Sequence, residues 1–290
     1  MFHLRLEPVR AWLARPWRRP LLWSLACALG NLLLPLSPAS AQNTTIKFAA
    51  EINGQPFECG RSYPLGTTKL SVMPSDWRVF VSEVEFVQAN GQRVPLNLHQ
   101  DTTWQIGSVS LLDFENGQGP CSNGTSATNT TVRGELPAGE YRALRFVIGL
   151  PFALNHADPT LAASPLNTTA MFWNWQGGYK FIRFDTPGFP LHLGSTQCAA
   201  PSRTTAPTAS CGQPNRIEVV LDGFDVRQDT VVLDLGRVLQ GTDISANTPR
   251  TQPGCMSFPG DADCPAVMGA LGLPYDGQPP PGSQQLARRR

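Results

Sequence analysis

The stretch RVFVSEVEFVQ, residues 78–88, decides the fold. Val79 and Val81, and then Val84 and Phe86, fall on buried positions between polar neighbours, the period-two pattern of a half-buried strand. Asn90-Gly91 follows as a hairpin signal, with Val94-Pro95-Leu96 as the return. Outward from it, short alternating runs recur at residues 45–52, which turn at Asn53-Gly54, and at 109–114, 131–135, 141–148, 179–185, 216–225 and 230–235. Helical periodicity is almost absent. Roughly nine strands at this spacing predict an all-β fold, an antiparallel β-sandwich of two packed sheets. Two segments break the rhythm. Residues 149–174 form a long loop with a short helix expected at 159–163, and long ordered loops tend to carry function. Residues 199–214 are rich in Thr, Ser, Ala and Pro between two cysteines and read as a surface excursion.

The N-terminus has the three parts of a secretory signal: Arg5, Arg10, Arg15, Arg18 and Arg19, an apolar run from Leu21 to Leu36, and the small-residue exit Ala39-Ser40-Ala41. Cleavage near Ala41 predicts a periplasmic or secreted chain, and Arg18-Arg19 leaves twin-arginine export open beside the general route. No other segment approaches the ~20 apolar residues of a membrane helix. The domain plan is therefore a signal at 1–41, a β domain at 42–273, and a Gly/Pro/Gln-rich disordered tail at 274–290, with Arg288 to Arg290 as a frayed end. Cleavage removes five Arg and one Glu, taking the net charge from +1 to −3. That weak charge, without a basic block, gives no nucleic-acid surface. Asn-x-Thr sequons at Asn43, Asn123, Asn129 and Asn167 mark polar loops unless the chain is made in a eukaryotic secretory pathway.

Six cysteines survive cleavage: Cys59, Cys121, Cys198, Cys211, Cys255 and Cys264. An even number in an exported chain predicts disulfides, and no Cys-x-x-Cys suggests a zinc or redox motif. Cys198 with Cys211 and Cys255 with Cys264 would close local loops and leave Cys59 with Cys121, one of about 15 pairings that six cysteines allow.

Hydrolase, nucleotide-binding and haem-attachment motifs are missing from the sequence. The densest unusual segment is AMFWNWQGGY, residues 170–179. If extended, it projects Met171, Trp173 and Trp175 to one face. The plain reading is aromatic core packing; the sharper one is an oxidisable or soft-metal site. His156 precedes this segment and His192 follows the next strand, so both can converge on one end of the sandwich, whereas His99 lies in a strand-end loop. Imidazole with thioether and no carboxylate pair suits Cu(I) better than Mg²⁺ or Ca²⁺, which want oxygen cages. Met256, beside Cys255, is a further thioether. Two other readings stand: a secreted β domain whose aromatic stripe stacks on an organic ligand such as a sugar, and a purely structural or adhesive module.

These blocks resemble the MbnP family, the four-cysteine half of the metallo-mystery pair found in methanobactin operons and other copper-homeostasis settings. The resemblance runs from about Ile46 to Leu273 and is carried by FAAEING (48–54), FVSEV (80–84), LLDF (111–114), GLPFALNH (149–156), PLN (165–167), MFWNWQGGYKF (171–181), HLGST (192–196) and CMS (255–257). It implies a periplasmic copper-binding protein, not an enzyme, in which the first Trp of a Trp-x-Trp motif is oxidised to kynurenine by a di-haem partner, MbnH, related to MauG and bacterial cytochrome c peroxidases. In Trp173-Asn174-Trp175 the modified residue would be Trp173, with Trp175 as an electron relay or a packing neighbour. His156 and His192 would be the copper ligands beside it, joined by Met171 and more weakly by Met256. Cys59, Cys121, Cys255 and Cys264 would be the family set, and Cys198 with Cys211 an addition.

Overall fold

The computed structural model describes residues 40–290, so the signal segment, apart from its last two residues, lies outside the described residues. The chain forms a β-sandwich with these principal elements: β1 (Ala41–Ile52), β2 (Asp76–Gln88), β3 (Val109–Asp113), β4 (Thr131–Pro137), β5 (Tyr141–Ile148), β6 (Phe172–Asn174), β7 (Gly178–Asp185), β8 (Leu191–Gly194), β9 (Ile217–Asp222), β10 (Thr230–Asp234) and β11 (Ala287–Arg289). Helices are confined to short pieces, α1 (Phe152–Asn155), α2 (Leu235–Leu239) and α3 (Pro265–Ala270). No helix among the described residues is long and apolar enough to cross a membrane.

One sheet runs β11-β10-β1-β4, continued by a two-residue strand at Asn97–Leu98, and within it β1 lies parallel to β10. The other runs β6-β7-β2-β5-β9, with β8 beside β7 and β3 beside β2. Phe48 of the first sheet meets Phe146 of the second edge-on at 5.7 Å, a cross-sheet contact at the heart of the core. The central strand β2 is buried from Asp76 to Ser82 on both faces. Trp77, Val79 and Val81 share the face of Ile182 and Phe184, and Trp77 packs against Phe57, Phe114 and Phe184 at 5.4–5.5 Å. The opposite face carries Phe80, which meets Tyr179 at 5.8 Å under the long loop. At Glu83 the backbone turns to φ +51°, and the pairing with β5 shifts there, a bulge that moves the apolar phase from Val81 to Val84.

The disulfides are Cys59–Cys121, Cys198–Cys211 and Cys255–Cys264. Two local expectations are corrected. Residues 159–161 form a turn and 162–163 are irregular, with the Asp158 carboxylate accepting from the Thr160 N–H at 2.8 Å, and the helix starts instead directly after Pro151. The C-terminus is not frayed: β11 pairs antiparallel with β10, and Arg288 donates to the Glu51 carboxylate at 2.6 Å, with Arg290 paired to the same group. Glu51 is only 2 % exposed, and a carboxylate taken so far from water needs cationic partners. Composition gives no sign of a contact that spans 237 residues.

Deleting residues 287–290 leaves that carboxylate unpaired. The expected loss is about 1–3 kcal/mol of unfolding free energy by chemical denaturation, largely recovered by Glu51→Gln in the truncated chain.

Candidate metal centre

The register of the second sheet lines up one transverse row. Asp113 stands opposite Arg78, Arg78 opposite Arg183, and Arg183 opposite His192, across β3, β2, β7 and β8. All four project from the face turned away from the first sheet, as does Asp185, two residues beyond Arg183 on the same strand. Arg78 donates to Asp113 at 2.9 Å and is paired with Asp76 at 3.3 Å and with Glu115. Arg183 bridges Asp76 at 3.2 Å and Asp185 at 2.7 Å. The row ends at His192, whose Nε2–H donates to Asp185 Oδ1 at 2.6 Å.

That last bond fixes the imidazole's chemistry. With Nε2 carrying the proton, Nδ1 keeps its lone pair, the arrangement in which a carboxylate orients a metal-binding histidine. Burial pulls the His192 pKa below its ordinary value, against the opposing pull of Asp185. Asp185, despite its own burial, is held at about 2 by its bond with His192 and by Arg183. The β8 backbone is pinned from the other side. The His192 N–H donates to the Cys255 carbonyl at 2.9 Å, and Ser257 Oγ donates to the His192 carbonyl at 3.0 Å. These bonds hold the Cys255–Ser257 segment against β8, and Met256 within it lines the same cleft as His192.

Trp173 reaches the same place from β6. Its ring lies 6.4 Å from the His192 ring and stacks on Phe258 at 5.7 Å with a 25° tilt. Gly194 makes this possible: a Cβ there would meet the benzene half of the indole at 2.5 Å and the Tyr179 carbonyl at 2.7 Å. The three side chains Trp173, His192 and Met256 line a cleft of about 810 Å³, with Lys180, Arg203, Arg250 and Phe258 among the other walls. Asp261 is its only carboxylate among the lining residues. Lys180, desolvated and near Arg183, falls to about 8, and its Nζ donates to the Ala170 carbonyl at 2.8 Å. A cleft with a nitrogen and a thioether sulfur but no oxygen cage suits a soft cation and not Ca²⁺ or Mg²⁺.

The other expected site residues go elsewhere. The Met171-Trp173-Trp175 stripe does not form, because Met171 ends a 3₁₀ turn, β6 is only three residues long, and Trp175 lies in the turn that follows. Met171 is fully buried in the core, and Trp175 stands edge-on to Phe172 at 6.3 Å; neither lines the cleft. Nor does His156. It follows α1, and its Nε2 accepts from Asn155 Nδ2 at 3.0 Å and lies 3.4 Å from Cys211 Sγ. Asp185, Gly194 and Phe258 are site residues that the sequence reading missed. Asp185 ends a legible strand, but its pairing with His192 depends on the β7–β8 register, and Phe258 carries no pattern of its own.

Two outcomes follow from this geometry. Gly194→Ala pushes against the indole and backbone, which predicts an altered Trp173 near-ultraviolet dichroism and a stability loss of about 1–3 kcal/mol. Burial raises Asp113 to about 7 and Asp76 to about 6. A carboxyl whose folded pKa exceeds its unfolded value binds more protons when folded between the two, so its contribution to stability falls as pH rises from about 4 through about 7. Asp113→Asn therefore gains stability relative to the wild type across that window, as urea denaturation at a series of pH values will record.

The family model for MbnP matches residues 41–257. Among solved structures, MbnP from Methylosinus trichosporium superposes with a TM-score of 0.76 and is 31 % identical, covering 86 % of this chain and 98 % of that one. Comparison with curated protein sequences returns no significant match. The matched residues include the Trp173, His192 and Met256 that share the cleft, and the chain belongs to the MbnP family.

Proposed function

We propose that this protein binds copper in the cleft of Trp173, His192 and Met256, that its role is binding and not catalysis, and that it does so in the periplasm in copper homeostasis. The observation that carries the reading is the Asp185–His192 bond, which leaves one imidazole nitrogen available beside a thioether and an indole in a single cleft. In the reading, His192 Nδ1 and the Met256 sulfur hold Cu(I), both being donors that soft cations accept. Membership of the family supports copper as the cargo and Trp173 as the modified residue.

An intact indole is a poor ligand. Oxidation to kynurenine by a di-haem partner of the MbnH type, which would pass the electrons to a peroxide co-substrate, cleaves the C2–C3 bond, places oxygen on both carbons, releases C2 as formate and leaves an aryl amine and a ketone, both able to donate. The benzene half of Trp173, lying against Gly194, would stay anchored while the opened arm reaches the ion. Trp175, in the adjoining turn, is the candidate relay for the oxidising equivalent. His156 and Met171 have no part in this ligand set, because neither lines the cleft.

Co-production with the di-haem partner, followed by intact mass and copper analysis, tests the proposal. One copper per chain is expected only in protein whose Trp173 is modified, with His192→Ala or Met256→Ala lowering affinity at least about tenfold and His156→Ala leaving it near wild type. Full occupancy with intact Trp173 overturns the dependence on kynurenine. A second reading rests on the cleft's size. About 810 Å³ is the volume of a small-molecule pocket, and Trp173 stacked on Phe258 offers an aromatic wall for an organic ligand such as a sugar. Ligand retained after copper removal and in His192→Ala would favour it.

A further inference from the structure

We propose that His156, Cys198 and Cys211 form a second metal site, separate from the cleft ligands, which is closed as a disulfide and opens to a thiophilic d¹⁰ cation when that disulfide is reduced. The imidazole nitrogens and the two sulfurs offer three ligand atoms within 4.8 Å of one another, all on buried residues. Two thiolates and an imidazole make a donor set for Zn²⁺ or Cu(I), with an open position left for solvent.

The imidazole already presents the right nitrogen. The Asn155 side chain is oriented by the Tyr179 N–H, which donates to its Oδ1 at 2.9 Å, so its Nδ2 is the donor to His156 Nε2. Nε2 is therefore unprotonated, with Cys211 Sγ 3.4 Å away, and metal binding would replace its bond from Asn155. The Nδ1–H faces the Trp175 carbonyl at 3.4 Å. The ring is held by α1, through the His156 N–H to the Phe152 carbonyl at 3.2 Å and by Phe152 packing at 4.8 Å.

The sulfurs, for their part, are held opposite one another by more than their own bond. At the neck of the 199–210 loop, Thr196 N–H donates to the Gln213 carbonyl at 2.8 Å, Gln213 N–H returns to Thr196 at 3.1 Å, and Gly212 N–H donates to the Gln197 carbonyl at 3.0 Å. Ser195 Oγ to the Pro214 carbonyl at 3.0 Å and Asn215 Nδ2 to the Gly194 carbonyl at 2.8 Å continue the clasp. Breaking the S–S bond therefore leaves both cysteines facing His156. Cys198 also lines the cleft, which gives a reductant its approach.

The chemistry balances with a dithiol as reductant, the class to which thiol–disulfide oxidoreductases belong. One reductant thiolate attacks a sulfur of the pair, the mixed disulfide is resolved by the second thiol, and two cysteine thiols and one external disulfide result. Metal entry then releases two protons as both thiols become thiolates. Nothing in this depends on copper in the cleft.

The full chain, oxidised or reduced with TCEP without denaturant, is titrated with Co²⁺. Only the reduced protein is expected to bind one equivalent with thiolate-to-cobalt charge-transfer absorption, displaced by Zn²⁺. That absorption is expected to vanish in Cys198→Ser/Cys211→Ser, and Co²⁺ affinity to fall about tenfold or more in His156→Ala. Its absence from reduced wild type, or its survival in the double-serine variant, overturns the proposal. Should that variant fold poorly, alkylation of reduced wild type decides: Zn²⁺ protecting Cys198 and Cys211 supports the site, and equal labelling with and without Zn²⁺ overturns it.

Discussion

The bond between His192 and Asp185 is the constraint on which the cleft depends, and it is the last link of a chain of charges buried across four strands. A lone Asp185 carboxylate at that depth would be costly, and so would a lone Arg183. Each is tolerable because the register sets it against the next, from Glu115 and Asp113 through Arg78 and Asp76 to Arg183. Arg78 and Arg183 are shared among four carboxylates, so no member can turn away without leaving another unpaired. The imidazole at the end inherits that rigidity, and its tautomer follows from it.

The scaffold meets this row with covalent staples where strand pairing ends. Met256 sits in a segment with little regular structure, yet Cys255 bridges to Leu191, and Gly254 at φ +64° packs so closely on Pro190 that a Cβ would lie 2.0 Å from its carbonyl oxygen. Two backbone hydrogen bonds, from the Cys255 N–H to the Pro190 carbonyl at 3.0 Å and from the His192 N–H to the Cys255 carbonyl at 2.9 Å, fasten this loop to β8 with the help of one glycine. The thioether comes from sequence more than sixty positions beyond the histidine with which it shares the cleft.

Alternation made the sandwich legible, because strands such as 131–137 and 217–222 bury every second residue against one core. What alternation could not reveal was where a run stops. The Met171-Trp173-Trp175 stripe assumed an extended chain through Trp175, but Asn174 caps the turn by accepting from the Gly177 N–H at 2.8 Å, and the three side chains part company. His156 and His192 were equivalent in sequence, each a histidine flanking the aromatic segment. Their difference lies in partners that pattern does not encode: a carboxylate two strand positions away for one, an amide and a disulfide for the other. The C-terminal strand was hidden because its composition is that of a solvated tail, while its binding energy resides in Glu51.

Trp173 is the point at which packing and reactivity pull in opposite directions. Buried tryptophan normally earns its place by area, and one enclosed on all sides would be inert. Here the benzene half lies over Gly194, a Cβ on Gly177 would stand 3.5 Å from its edge, and one face is covered by Phe258. The Trp173 side chain is only half-buried. The ring is thus clamped by the half that ring-opening chemistry would spare. A larger residue at position 194 would break the clamp. Trp173 is seated at one edge by a glycine and open to a cleft, whereas Trp77 is surrounded by three aromatic rings in the core.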